Sequence, residues 1–582
     1  MNIYPTLAAK GKRARSAARQ KSVKQQEKST TMLKNSTWIT LAILVCWASS
    51  VNRAVSHEMG GHEGPTYRVA PPRSFAEGEP CLQLSILDAD TGRPTPARFS
   101  IVVDGETYTP DQLGPGGIVF ETIHTSKRQR FTGLYSRGTG PVQVPLPPDA
   151  RSGSVIVVKG FDYRVVSGDF QQVGGNASLR VELSRWNDLD RKGWISADAH
   201  LHYERHAKRY DRDWLTLLAA EGLDQGHFMT VLGGNLPGIW AEQYAYGSEG
   251  EGTDGHRLLT AGEEYRDSLQ GHINLLGLGK IIHPILAGTR KHPHHYPTFL
   301  HVLQEARSTG GFVGPAHGAK LGGSPTAVAD TVLGAVDFFE IANTHLLEPD
   351  LWYQLMNCGY LVPPSAGTDL PNYPFREAWQ PLLGETRIVV QVDDRRDFSG
   401  WTEAVRQGRV FTTSGPTISL TVNDAGLGET VQLPPKGGTV TVTAELAGPR
   451  PLRSLEVLLS GKPIEARIED IGQDRIVRYR LTATVPIKRS TWLAARGFGV
   501  RKEALSKGAQ IEQRTHAHTA AIPVLVGDQP IWSPDDARQL RERLAEQKAL
   551  YRARGNYEQE SHRGEMLDVF DRAIRELAEA GR

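Results

Sequence analysis

Cysteine is scarce in this chain: three among 582 residues, one of which, Cys46, lies in an N-terminal apolar run. The two others, Cys81 and Cys358, are far apart, leaving room for one bridge at most and excluding a disulfide framework. Long apolar runs are also missing. The longest, Trp38 to Trp47 ("WITLAILVCW"), is about ten residues, too short for a helix across a bilayer core about 30 Å thick. Charge of one sign does not dominate either, since 67 Lys and Arg face 65 Asp and Glu. The excess sits in residues 1–34, where nine Lys and Arg oppose Glu27 alone, and the rest of the chain is net acidic. That excludes the concentrated basic surface that nucleic acid or anionic lipid requires. No G-x-S-x-G elbow and no phosphate-cradling P-loop is present.

What is present divides the chain. At 582 residues it exceeds one compact core, so three or four units are expected. The basic stretch, the apolar run and the small residues Ala48, Ser49 and Ser50 make residues 1–56 an export leader, with Met32 as an alternative start. A short membrane anchor is the competing reading of the same run. A periplasmic or extracellular location follows from the leader. Residues 57–74 are Gly-rich and polar, a flexible linker.

From Cys81, short alternating runs such as "CLQLSILDADTG" and "SVIVVKGFDYRVV" predict an all-β sandwich over 75–187. Between 188 and 415, strand-like runs ("HFMTVL", "HINLLGL", "VDFFEIAN") alternate with helix-like ones ("DRDWLTLLAAEG", "YPTFLHVLQEARSTG"), which predicts a central α/β layer of parallel strands, barrel or open sheet. Alternation returns in "TISLTV", "GTVTVTAEL" and "RIVRYRLTATV", a second sandwich over 416–525. The tail, 526–582, is helical: Ser533 caps, Pro534 opens, Asp535 and Asp536 occupy the first turn, and Leu567, Phe570, Ile574 and Leu577 share one face.

The chemistry concentrates in the middle region. "GWISADAHLH" places His200 and His202 two residues apart, on one side of a strand, where both imidazoles can meet one metal. Asp198, on the same face, is a candidate to orient a histidine through its free ring nitrogen. "GEEYRDSLQGHINLLGL" carries Glu264 and His272, "GGFVGPAHG" carries His317, and "PSAGTDLPN" carries Asp369, each beside a strand end. Strand ends gather at one rim in parallel α/β folds. A His/Glu/His/Asp set suits Zn²⁺, Mn²⁺ or Fe²⁺ rather than a thiolate-bound metal.

His206 and His227 are candidates for acid–base work, weighed against ordinary histidines; Arg266 and Lys320 for contact with an anionic group. Trp240, Tyr244 and Tyr246 form either an aromatic lid or loop packing. The run "KHPHHYP" (His292, His294, His295) reads as a surface or lid loop, and His516 and His518 as structural.

The order H-x-H, G-x-E, a His opening a strand, "AHG" and "GTD" resembles the PHP (polymerase and histidinol phosphatase) metal-dependent hydrolases, in particular the CehA/McbA branch. "RWNDLDRKGWISADAHLH", "DFFEIAN", "WYQLMNCGYLVPPSAGTD" and "WTEAVRQGRVFTTSGP" belong to the likeness, which covers 188–415. The resemblance implies a distorted (β/α)7 barrel between the two sandwiches. It implies that His200, His202, Glu264 and Asp369 hold one metal and that Glu264, His272 and His317 hold a second, with Glu264 bridging. Glu264, His317 and Asp369 would carry the catalysis.

Two departures matter. A T-D-H motif is replaced by "GLDQGHFMTVLGGN", and a D-x-H motif by Asp369-Leu-Pro371. Both missing histidines would serve a third metal, so one or two divalent ions are expected. The function expected is hydrolysis of a small-molecule ester, carbamate, amide or phosphoester by a water that the metal ionises. Two other classes stay open: a non-catalytic exported binding protein with a structural metal, and an amidohydrolase-type barrel, which would want a carboxylated lysine where Glu264 stands here.

Overall fold

The computed structural model describes residues 67–122, 131–173, 175–232, 239–318, 324–344, 346–371, 382–393, 396–499 and 515–580. The leader read at 1–56, the linker residues 57–66 and Lys320 lie outside the described residues. Cys81 and Cys358 are buried and free. None of the helices is long and apolar enough to cross a membrane among the described residues.

The N-terminal region obeys period-two burial. Strand Cys81–Asp88 buries Leu82, Leu84 and Ile86, and strand Pro96–Val103 buries Phe99, Ile101 and Val103. These side chains meet between two sheets. One contains Pro96–Val103 and Ser152–Val158; the other aligns Asn176–Leu183 and Val142–Pro145 on either side of Cys81–Asp88.

The central region is a mixed sheet. Strands β1 (Trp194–Leu201), β2 (Gln225–Thr230) and β3 (Leu258–Asp267) are parallel neighbours, with α1 (Asp211–Ala220) between the first two. β4 (Gly271–Leu276) returns antiparallel to β3, and β5 (Phe312–Pro315) is antiparallel to β4 after helix α2 (Phe299–Ser308). Beyond α3 (Ala327–Val332), β6 (Phe339–Asn343) pairs in parallel with β7 (Pro364–Gly367), and α4 (Asp350–Asn357) joins them. On the other side of β1, β8 (Arg387–Gln391) and β9 (Val410–Thr413) add antiparallel strands around α5 (Phe398–Arg406). The expectation of parallel strands therefore needs correction, because the short link at 268–270 permits only a hairpin return from β3 to β4.

Among the described residues these strands form no closed barrel. β5 and β6 approach through Asp337 N–H donating to Val313 O at 2.7 Å, without a ladder. Between β7 and β1 the link is the Leu201–Leu370 bridge, with Asp369 N–H donating to His200 O at 2.8 Å. Close approach at this second seam depends on Gly367, where a Cβ would stand 2.3 Å from His200 Cβ and 2.6 Å from His200 N.

The sheet continues past residue 415: β9 pairs with His516–Thr519, followed by Thr491–Gly499 and Leu452–Leu459. A four-stranded sheet containing Thr417–Val422, Gly438–Gly448 and Val477–Ile487 covers this layer. In the tail, α6 (Pro534–Arg554) begins at Ser533, whose hydroxyl accepts from Asp536 N–H at 3.3 Å. Leu540, Leu544 and Tyr551 of α6 join Phe570 and Leu577 of α7 (Glu560–Glu579) in the core that holds Phe299, Leu303 and Trp352.

Candidate metal centre

Topology brings the strand ends to one rim. β1 and β3 run parallel within one sheet, and β5 runs with them because it is antiparallel to the reversed β4. His200 is at the end of β1, His202 just beyond it, His317 two residues after β5 and Asp369 two after β7. His272 opens β4, so the hairpin returns it to the rim opposite Arg266.

The polar atoms converge. His200 Nε2 lies 3.1 Å from His202 Nε2 and 3.4 Å from Asp369 Oδ1. His202 Nε2 is 3.2 Å from both Glu264 Oε2 and Asp369 Oδ1. Glu264 Oε1 is 3.0 Å from His272 Nδ1 and 3.4 Å from His317 Nε2, and Asp369 Oδ2 is 3.4 Å from His317 Nε2. Three overlapping groups thus offer ligand atoms within metal reach: His200–His202–Glu264, Glu264–His272–His317 and His200–His317–Glu340.

The donor set fits a divalent cation. Glu264 Oε1, His272 Nδ1 and His317 Nε2 are buried and make no aligned hydrogen bond despite their proximity. Buried polar atoms are normally paired, and an ion bound between these three would pair them all. His202 donates Nδ1–H to Met229 O at 3.0 Å, which turns Nε2 inward as the nitrogen available to an ion.

Electrostatics agree. Burial would raise Glu264, but the charges of Arg266 and His272 and a hydrogen bond from His202 hold its carboxyl well below the usual range. Asp369 is likewise depressed, burial being outweighed by His200, His202 and His317. Burial would lower His202 and His317, yet Asp369 and Glu264 push each up to about 9. His272 is pulled down to about 3 by burial and then by Arg266. The two carboxylates thus favour positive charge beside them, which a divalent cation held by these residues would supply.

Several neighbours behave differently from the sequence reading. Asp198 touches no imidazole. Its Oδ1 accepts from Thr368 N–H (3.0 Å) and His200 N–H (3.2 Å), and its Oδ2 from Thr368 Oγ1 (2.6 Å) and Gly384 N–H (3.0 Å). It clamps the backbone of two ligand-bearing segments because its side chain points across the β1–β7 seam. Arg266 pairs with Glu264 Oε2 through Nε at 2.8 Å and through Nη2. Two non-glycine residues of the rim, His317 (φ 58°) and Asp369 (φ 56°), adopt left-handed backbone, a conformation that collects at functional sites.

His227 is buried on Trp401, bonded to Thr260 Oγ1 at 2.8 Å, and pushed by burial down to about 3. His206 is exposed. His295 pairs with Asp267 at 3.0 Å, and His518 Nε2 with Tyr353 OH at 2.5 Å, both outside the centre. Of the three aromatics, Trp240 alone stacks beside a ligand, 6.1 Å from His202. Tyr244 and Tyr246 bond Asp211 and Thr230. The opening lies toward His272 and Asp369, whose side chains are 15% and 11% exposed.

Glu340 was not singled out from the sequence as a site residue. Its signal was an acid inside the apolar run "VDFFEIAN", where an unpaired carboxylate would be costly. It stands beside His200, 1% exposed.

No protein-family model matches this chain, and no curated protein does. Among solved structures, Endonuclease Q in complex with a 27-mer duplex substrate bearing an abasic lesion is similar at 14% identity, with a TM-score of 0.24. The match covers 37% of this chain and 56% of that one, little more than half its length. A TM-score that low carries no weight for the site.

Proposed function

We propose that this chain is an exported metal-dependent hydrolase of the PHP kind, holding one or two divalent ions (Zn²⁺, Mn²⁺ or Fe²⁺) at the rim and cleaving an ester, carbamate, amide or phosphoester bond of a small molecule. The supporting observation is Glu264, one buried carboxylate with Oε2 3.2 Å from His202 and Oε1 3.0 Å from His272. It can therefore serve two ligand groups at once. A divalent ion held there would lower the pKa of its water to about 7 and polarise the oxygen under attack.

The chain's own residues do the rest. Met229 O sets the tautomer of His202, and Arg266 fixes the Oε2 side of Glu264. Asp369, the most exposed carboxylate of the set, would share in holding the ion, with Oδ1 toward His200 and His202 and Oδ2 toward His317. Trp240 supplies an apolar wall next to His202 for the substrate. The rim is read here as a distorted (β/α)7 arrangement in which the Leu201–Leu370 bridge joins β7 to β1 and β5 and β6 approach without a ladder.

The test is a panel of aryl ester, carbamate and phosphodiester substrates given to the parent protein, His200→Ala and Asp369→Asn. Each substitution is expected to abolish metal content and turnover together. Full turnover by chelated, metal-free protein rejects the proposal.

A further inference from the structure

We infer that Glu340 is a positioning residue that sets two metal ligands at once, His200 through its ring and His317 through its backbone. The inference rests on the metal-centre reading above. Glu340 Oε1 is 2.9 Å from His200 Nδ1, and Oε2 accepts from His317 N–H at 2.6 Å. Both oxygens are committed.

Geometry separates this role from that of a ligand. On an imidazole the two nitrogens face away from each other. His200 Nε2 faces His202 Nε2 at 3.1 Å and Asp369 Oδ1 at 3.4 Å, so an ion belongs on that edge and Glu340 on the opposite one. With Glu340 accepting at Nδ1, the ring carries its proton there and presents a lone pair at Nε2. The second oxygen acts on the turn after β5, where His317 holds left-handed backbone at φ 58°. One carboxylate therefore couples the ring orientation of one ligand to the strained backbone of the other. Asn274 and Asn343 flank the same edge of His200, their side-chain amides 3.0 and 3.4 Å from Nδ1, and with the proton on Nδ1 the Asn274 amide turns its otherwise unpartnered Oδ1 to the ring.

Glutamine cannot reproduce both contacts. With its amide nitrogen toward His317, two N–H donors face each other. With that nitrogen toward His200, the ring must move its proton to Nε2, the coordinating atom. Either arrangement spoils one ligand.

The experiment titrates Zn²⁺ and Co²⁺ into the metal-free full chain and records the visible bands of the Co²⁺ protein, for parent, Glu340→Gln and Ile341→Val, the last a packing change at the buried neighbour of Glu340. Glu340→Gln is expected to bind the same number of ions with affinity reduced about 10- to 100-fold and with shifted bands. Ile341→Val is expected to match the parent. Near-ultraviolet circular dichroism checks folding. Should Glu340→Gln not fold, Glu340→Asp, which retracts the charge by one methylene, takes its place with the same expectation. Parent affinity with unchanged bands overturns the inference. Loss of one whole ion makes Glu340 a ligand and also overturns it, as does an equal loss in Ile341→Val, which would mean packing alone. Failure of the underlying metal centre is distinguishable, because then the parent itself binds no ion.

Discussion

Gly367→Ala adds one methyl group at the seam that carries the metal ligands. The new Cβ would stand 2.3 Å from His200 Cβ, 2.6 Å from its N and 3.0 Å from its Cα. Ordinary contacts are about 3.5–4.0 Å, so β7 must back away from β1 by about 1 Å. Gly367 is not among the residues with positive φ. Alanine therefore fits its backbone, and the whole penalty is steric. Overpacking of this sort costs about 1–3 kcal/mol.

The retreat also stretches the 2.8 Å bond from Asp369 N–H to His200 O, so both ligands shift relative to Glu264. Urea melts with and without metal separate the two effects. With the ion 100-fold above its Kd, the parent should gain about 2.7 kcal/mol from binding. If the 1 Å shift weakens affinity 100-fold, the variant should gain only about 0.4 kcal/mol. Equal stability without metal and an equal gain with it would refute the seam argument.

Asp198→Asn should cost about 1–3 kcal/mol at pH 7.5, since an amide nitrogen would face at least one backbone N–H donor whichever way it turns. Chemical denaturation reads this, and a loss under 0.5 kcal/mol would contradict the clamp. Asp330, buried on α3 with Oδ1 lacking a hydrogen bond, is pushed by burial from 3.8 to about 7, against the pull of Thr326. Its folded-state pKa is the raised one, so its stabilising contribution is complete below about 4 and disappears as pH rises through about 7. Asp330→Asn should flatten that fall, becoming more stable relative to the parent at pH 8 than at pH 4 by at most about 4 kcal/mol. Parallel pH profiles of Tm for the two proteins would refute it.

Local rules carried the sequence reading where one element decides the outcome. Period-two burial in "CLQLSILD" is visible because each sandwich strand has one wet face, and the tail helix start at Ser533-Pro534 is written in its capping residues. The six residues His200, His202, Glu264, His272, His317 and Asp369 come together in space, and their service as ligands is the proposal made above. Relations across elements were not legible. Nothing in "HINLLGL" states that β4 runs backwards, because a buried strand is apolar on both faces in either direction. Asp198 could be placed on the histidine face, but not its choice of the Thr368 and Gly384 backbone over an imidazole. Glu340 is not legible as a site residue because its partner His200 is 140 residues away. The continuity of β9 with His516–Thr519 depends equally on a pairing between distant segments.

The central claim is that a cation belongs between Glu264 and the histidines of the rim. Crystals soaked in Mn²⁺ or Zn²⁺ and measured at the metal's absorption edge test it most directly. The account predicts an anomalous peak about 2.0–2.2 Å from Glu264 and from two or more of His200, His202, His272 and His317, absent in His200→Ala or in Asp369→Asn crystals. A rim without any peak, or one unchanged by both substitutions, contradicts it.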